Sequence, residues 1–205
     1  MRGLLYQGHA SFRLESGEGT VIYIDPYAGE GYELPADAIL VSHFHADHSC
    51  VEKCARKENC VVLTPKELLV DGEYRSLRLR DLFIRAVPAY NEKHDRSTTV
   101  GFLIRDGETC YYIASDTSEI PEMAELRQEN VTYALLPCDG FFNMGPEEAA
   151  ACADMIGAEY AVPVHTCRNT EGIYSEENAA RFCCKNRLLI RPGEYVGDRE
   201  NEKHR

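Results

Sequence analysis

Three imidazoles and a carboxylate fall within one short run, His43-Phe44-His45-Ala46-Asp47-His48. Neutral imidazole and ionised carboxylate are the customary nitrogen and oxygen ligands of zinc and its first-row neighbours, and crowding them this closely is costly unless a cation organises them. The preceding stretch Asp37-Ala38-Ile39-Leu40-Val41 reads as a short buried strand, so the cluster opens where a strand gives way to a loop. In extended chain His43 and His45 point to one side and can grip one ion. Asp47 and His48, beyond the turn, are free to reach a second. Other ionisable residues also end apolar runs, namely Asp25, Asp116, Asp139 and His165. Sheets that surrender polar groups at one edge are a common rigid scaffold for a site.

The elements that must position these groups alternate between strand and helix. Ser11 to Glu15 and Thr20 to Ile24 read as strands, the second ending at Asp25-Pro26. A helix is expected from about Cys50 to Glu58, with Cys50 and Cys54 on its packed face, then a strand from Cys60 to Leu63. Thr64-Pro65-Lys66-Glu67 combines a cap, a proline at the first helical position and a glutamate three after the cap, which starts a helix. Strands follow at 82–89 and 99–105, and Asp106-Gly107 turns a hairpin into 109–114. Beyond these lie a strand at 131–136, a helix at 146–155 opened by acidic Glu147-Glu148, a strand at 160–164, a helix at 175–184 and a last strand at 187–190. The polar tail 197–205 is expected to fray, leaving one domain over 1–196.

A chain of 205 residues, 44% hydrophobic and 27% charged, has the composition of a soluble globular protein. No stretch is long and apolar enough for a membrane span, and the amino terminus lacks a signal-peptide apolar region. Nine scattered cysteines, an odd number, suit reduced thiols, so the expected compartment is the cytoplasm. Cys50, Cys54 and Cys60 form no Cys-x2-Cys pair, which argues against a structural zinc knuckle. A net charge of −12 repels long nucleic acids, so the expected partner is a small molecule, with no membrane involved. Assembly into a homo-oligomer stays open.

The run His43 to His48 matches the HxHxDH pattern of the metallo-β-lactamase superfamily. Gly8-His9-Ala10-Ser11-Phe12, Ile24-Asp25-Pro26, Ala114-Ser115-Asp116-Thr117 and Val162-Pro163-Val164-His165 follow in that family's order. From about Gly8 to Gly193 the chain resembles the small bacterial and archaeal metal-dependent hydrolases of this superfamily, the lactonase-like group. The resemblance implies an α+β fold, a four-layer αββα sandwich of two facing mixed sheets with helices outside and a metal site at one edge. It also implies that His43 and His45 hold a first metal, that Asp47 and His48 hold a second with His165, and that Asp116 bridges the two. Ser115 stands where a glycine is usual. His94, between Val87-Pro88-Ala89-Tyr90-Asn91 and Val100-Gly101-Phe102, fits the remaining first-site ligand; otherwise it is a surface histidine beside Lys93, Asp95 and Arg96 and the first site is impaired. His204 belongs to the tail, and His9 either lies beside the metals or is a core histidine satisfied by backbone.

What the resemblance implies chemically is a hydrolase with two divalent cations, Zn2+ by default, with Mn2+ or Fe2+ also suited to the ligand set. Asp47 is expected to carry a proton to the leaving group, so no serine or cysteine nucleophile is required. A Cys167–His165 pair would compete with metal binding. The iron-dependent oxygen-reducing relatives favour a glutamate where His45 stands. The expected substrate is a small ester, lactone or sugar-phosphate lactone. A phosphodiesterase of cyclic or short nucleotides, and a catalytically silent metal-binding or regulatory protein, are the alternatives. Lys93, Arg96 and Arg168 could meet an anionic substrate, and Tyr90, Phe141, Phe142, Met144 and Tyr174 could wall its pocket.

Overall fold

β-branched and aromatic runs too short for helices build two six-stranded mixed sheets in the computed structural model, which describes residues 3–168 and 172–197. The first sheet takes β1 (Gly3–Gly8), β2 (Ser11–Glu15), β3 (Val21–Ile24), β4 (Ala36–Leu40) and β5 (Arg56–Leu63) in chain order. Helix α1 (Pro65–Leu68) and the small hairpin β6 (Leu69–Val70) and β7 (Glu73–Tyr74) lead across to the second sheet. That sheet holds β8 (Ser76–Leu79), β9 (Leu82–Pro88), β10 (Val100–Asp106), β11 (Thr109–Ile113), β12 (Tyr133–Pro137) and β13 (Tyr160–Val164), again in chain order. The chain returns to the first sheet as β14 (Tyr195–Val196), antiparallel to β1.

Both sheets repeat one pattern. Antiparallel pairing runs up to β3 and to β11, and then β4 and β5, or β12 and β13, continue in parallel. Parallel strands deliver their carboxyl ends to a common edge, where ligands of α/β sheets gather. Alternation packs Leu4, Phe12, Ile22 and Leu40 of one sheet against Ile84, Phe102, Ile113 and Val162 of the other, forming the central core. The outer face of the second sheet is covered by α2 (Pro146–Ile156), by Phe182 at the end of α3 (Glu176–Arg181), and by a 3-10 segment over Pro121–Glu129. The αββα sandwich is thus present. Its outer layer over Tyr23 and Ile39 is thin, built from Tyr32, Leu34 and the 3-10 turn Val51–Lys53.

The expected helix at 50–58 is corrected to that single turn. Ala36 N–H donates to Ala55 O (2.9 Å), and Ala36 pairs with Arg56, so the edge of β4 captures this stretch as β5. Cys54 is buried and Cys50 donates to Ala46 O at 3.1 Å. The expected strand at 187–190 is reduced to one bridge, Ala161 with Arg187, while Leu188 and Ile190 plug the core. The capping box at Thr64 and Glu67 forms as expected. All nine cysteines are free. Among the described residues no helix is long and apolar enough to cross a membrane. The tail 198–205, with His204, lies outside the described residues.

Candidate metal centre

Strands from both sheets that end at the shared edge supply the centre. The loop after β4 carries His43, His45, Asp47 and His48; His94 follows β9, Asp116 follows β11, and His165 follows β13. They gather into overlapping groups: His43, His45 and His94 in one, Asp47, His48, His165 and His9 in another, with Asp116 grouped with His43 and His48. His43 Nε2 lies 3.0 Å from His45 Nδ1. The Asp116 carboxylate stands between the groups, one oxygen 3.4 Å from His48 Nε2 and the other 3.2 Å from His94 Nε2 and 3.6 Å from His165 Nε2. Ligands about 2.1 Å from a tetrahedral ion sit roughly 3.4 Å from one another, so these separations are those of coordination edges.

The imidazoles are held in the tautomers a cation needs. Asp25 is fully buried after β3 and accepts from Ser42 N (2.7 Å), Ser42 Oγ (2.6 Å) and His48 Nδ1 (2.9 Å). With its proton spent on Asp25, Ser42 Oγ accepts from His43 Nδ1 (3.0 Å). Asn91 Oδ1 accepts from His94 Nδ1 at 2.9 Å. In all three rings Nδ1 donates outward, which turns Nε2 toward the centre, where the proton that His48 carries on Nε2 is the one a cation displaces. Asp139, also fully buried, lies 3.3 Å from His165 Nδ1 and accepts from the N–H groups of Phe141 and Phe142 (2.8 and 2.6 Å). Asn143 Nδ2 donates to Asp139 (2.9 Å), and Asn91 Nδ2 donates to Phe142 O (3.0 Å), which ties the His94 loop to the His165 support.

The residues fit a cation on their own evidence. His48 Nε2 and Asp116 Oδ1 are buried and face each other at 3.4 Å without forming a hydrogen bond, and buried polar atoms are seldom left so unless something else satisfies them. Strain is concentrated here too. His9, Asp25, Ser115 and His165 have φ of 53°, 45°, 58° and 43°, a left-handed backbone costing an L-residue roughly 1–2 kcal/mol each. Ser115 occupies the usual glycine position, and its φ is the reason glycine suits it.

Charges are strongly coupled. Burial, then repulsion from His48, pushes His43 down to about 2, leaving it neutral and ready to bind. Burial opposes charge on His48, but the Asp116 and Asp25 carboxylates hold it up at about 9. Against its own burial, Asp116 is kept well below the carboxylate range by His165 and His48. Asp47 is likewise lowered, burial being outweighed by its bond to His9. A bound cation would take the place of the proton on His48.

All seven residues expected at the metals are brought together, His94 among them at 3% exposure rather than in a surface loop. His9 joins them. Asp25 and Asp139 had been legible only as strand-end carboxylates, and Asn91 only as a neighbour of His94. Of the cations expected near a substrate, Lys93 is bound to Phe141 O and lies over the Phe141 ring, and Arg96 pairs with Glu122 at 2.6 Å. Arg168 donates to Asp139 O at 3.2 Å. Met144 is core rather than pocket wall, whereas Phe44 and Phe141 stand exposed on loops that carry ligands or their supports.

Comparison with known proteins agrees with this architecture. A UPF0173 metal-dependent hydrolase of Bacillus cereus (strain AH187) is 28% identical over 190 residues, covering 78% of this chain and 83% of that protein. Among solved structures, a protein of Parabacteroides distasonis ATCC 8503 superposes with a TM-score of 0.74 at 24% identity, covering 91% of this chain and 90% of its own. Igni18, a metallo hydrolase of the archaeon Ignicoccus hospitalis, gives 0.69 at 23%, covering 94% and 96%. At such identities the structures speak for the fold alone. The model of the beta-lactamase superfamily domain matches residues 3–165, and the chain therefore belongs to that superfamily.

Proposed function

We propose that the protein is a metal-dependent hydrolase in which two divalent cations are held side by side for attack of water on a small ester or lactone. The observation that carries this reading is the position of Asp116, whose two oxygens reach imidazoles of both histidine groups. His43, His45 and His94 would hold one ion, Asp47, His48 and His165 the other, and Asp116 both. When bound, the pair lowers the pKa of water and polarises an acyl or phosphoryl oxygen. Asp47 is the most accessible carboxylate of the centre, with 18% of its side chain exposed against 3% for Asp116. It is kept ionised and can take a proton and pass it to a leaving group. Thiol catalysis has no support, because burial pushes Cys167 up and away from the thiolate.

The engagement of Lys93 and Arg96 favours a substrate of low charge over a highly anionic one. A phosphodiester is the second reading, on one observation. A depression of about 300 Å3 in the segment that follows His165 is lined by Arg168 and Arg181 with Thr166, Asn178 and Glu177. Arg181 is held by Glu147 and Arg168 by Asp139 O, which keeps this reading second.

The first measurement is elemental mass spectrometry on protein purified without chelators, followed by turnover of a lactone and aryl-ester panel against a chromogenic phosphodiester. Two equivalents of metal with lactone or ester turnover support the proposal. Phosphodiester turnover alone selects the second reading. Full metal loading with no turnover points to a silent metal-binding protein, and the absence of metal after reconstitution with zinc or manganese overturns all three.

A further inference from the structure

His9 is not part of the HxHxDH run, lies 38 residues from Asp47 in sequence, and is 1% exposed. It sits at the reversal between β1 and β2, where the strand register shifts between Tyr6 and Gly8. Its backbone is pinned at three points. His9 N–H donates to Ile173 O (2.7 Å), and its carbonyl accepts from His165 N–H (2.8 Å) and Tyr6 OH (3.1 Å). These bonds hold a left-handed φ of 53° and drive the ring into the metal centre. The ring centroid is 3.7 Å from that of His165 and 5.6 Å from that of His48.

A core histidine ordinarily ties its ring nitrogens to backbone groups. Here Nε2 meets Asp47 Oδ2 at 3.2 Å, and Nδ1 is buried with no hydrogen-bond partner. One ring nitrogen of His9 and one ligand atom each of Asp47, His48 and His165 all lie within 4.8 Å of one another. The 3.2 Å separation is again that of two ligands on one ion, roughly 3.0–3.4 Å for bonds near 2.1 Å.

We propose that His9 is a further protein ligand of the cation held by Asp47, His48 and His165. Each half of the centre then offers three imidazoles around Asp116, a nitrogen-rich set that favours zinc over manganese or magnesium. The inference rests on the two-cation reading above and adds a residue to it.

The test is imidazole 15N NMR of the protein with and without zinc, together with zinc affinities of His9→Gln and His9→Ala measured against a chromogenic chelator. If His9 is a ligand, zinc moves one of its ring nitrogens to the metal-bound position. Both variants then weaken the second zinc equivalent by more than about a hundredfold, beyond the 10–100-fold typical of a supporting partner, and leave the first unchanged. The glutamine can still donate to Asp47 and would restore affinity if His9 only oriented that carboxylate. Two bound zinc ions with an unshifted His9 ring, or rescue by glutamine, overturns this inference alone. No zinc binding overturns the two-cation reading with it. The NMR arm uses the unaltered chain, so it decides the question even if a variant fails to fold.

Discussion

Asp25 makes no contact with the place an ion would occupy, yet its two oxygens accept three hydrogen bonds that orient His48 and, through Ser42, His43. An asparagine there has only one acceptor oxygen, so its amide N–H must face Ser42 or His48. We expect Asp25→Asn to weaken metal affinity roughly 10–100-fold, as loss of a supporting partner does. It should also destabilise the fold by about 1–3 kcal/mol through an unsatisfied buried donor. Chelator competition and denaturant melts measure the two effects, and unchanged metal affinity would contradict the orienting role. Ser115 makes the opposite case. Its φ of 58° strains the backbone and its Oγ is buried without a hydrogen-bond partner. Ser115→Gly should raise stability by about 1 kcal/mol, the relief exceeding glycine's added unfolded-state entropy, with metal affinity unchanged. A destabilised variant would mean that the hydroxyl or Cβ is needed for packing. The ligand run His43 to His48 was legible because its chemistry is local in sequence. The work of Asp25 was not, since Ser42 and His48 come to it only when β3 and β4 pair in parallel.

At the scale of elements, the 3-10 segment Pro121–Glu129 is fastened to the second sheet by Glu129. Its carboxylate accepts from Arg85 of β9 (2.7 Å) and from Arg105 of β10 (2.8 Å). Partial burial opposes the charge, but the two guanidiniums hold Glu129 below its ordinary 4.5. Protonation therefore favours the unfolded chain: the stabilisation is complete above pH 4.5 and is lost as pH falls through the lower folded value. For a carboxylate this accessible the clamp is worth about 1 kcal/mol. Glu129→Gln should lower the melting temperature at neutral pH, and its difference from the unaltered protein should close on acidification below 4.5. A gap that persists in acid would assign the effect to packing instead of charge. Sequence periodicity could not reveal this segment, because a 3-10 turn buries only Met123 and Leu126 and presents no continuous apolar stripe. The helix expected at 50–58 failed for a related reason. Its i, i+4 cysteines satisfy a helical pattern, but Arg56–Leu63 gains more by pairing with β4 than a short exposed helix can offer. The strands of the sandwich were easier to read because alternation over the two facing sheets is dictated by one shared core, as in Leu82–Pro88 and Val100–Asp106.

At the scale of the whole molecule, the centre is a bond between the sheets. His9, His43, His45, Asp47 and His48 come from loops of the first sheet, and His94, Asp116 and His165 from loops of the second. A cation shared across that divide binds only the assembled sandwich, so metal binding must add to global stability. One site filled to a hundred times its Kd contributes about 2.7 kcal/mol. The metal-free protein should nevertheless stay folded. Asp116 already pairs with His48, His94 and His165, and the central core does not depend on the edge. Chelation should therefore lower the melting temperature without abolishing the transition, and zinc added in steps should restore it in proportion to the logarithm of its free concentration. Hydrogen exchange should slow on loading in the carboxyl ends of β4 and β13 together, although these strands belong to different sheets. Protection confined to β4 would mean that the cations sit on the His43–His48 loop alone. That outcome would remove Asp116 from its bridging position, and with it the two-cation reading that its position carries.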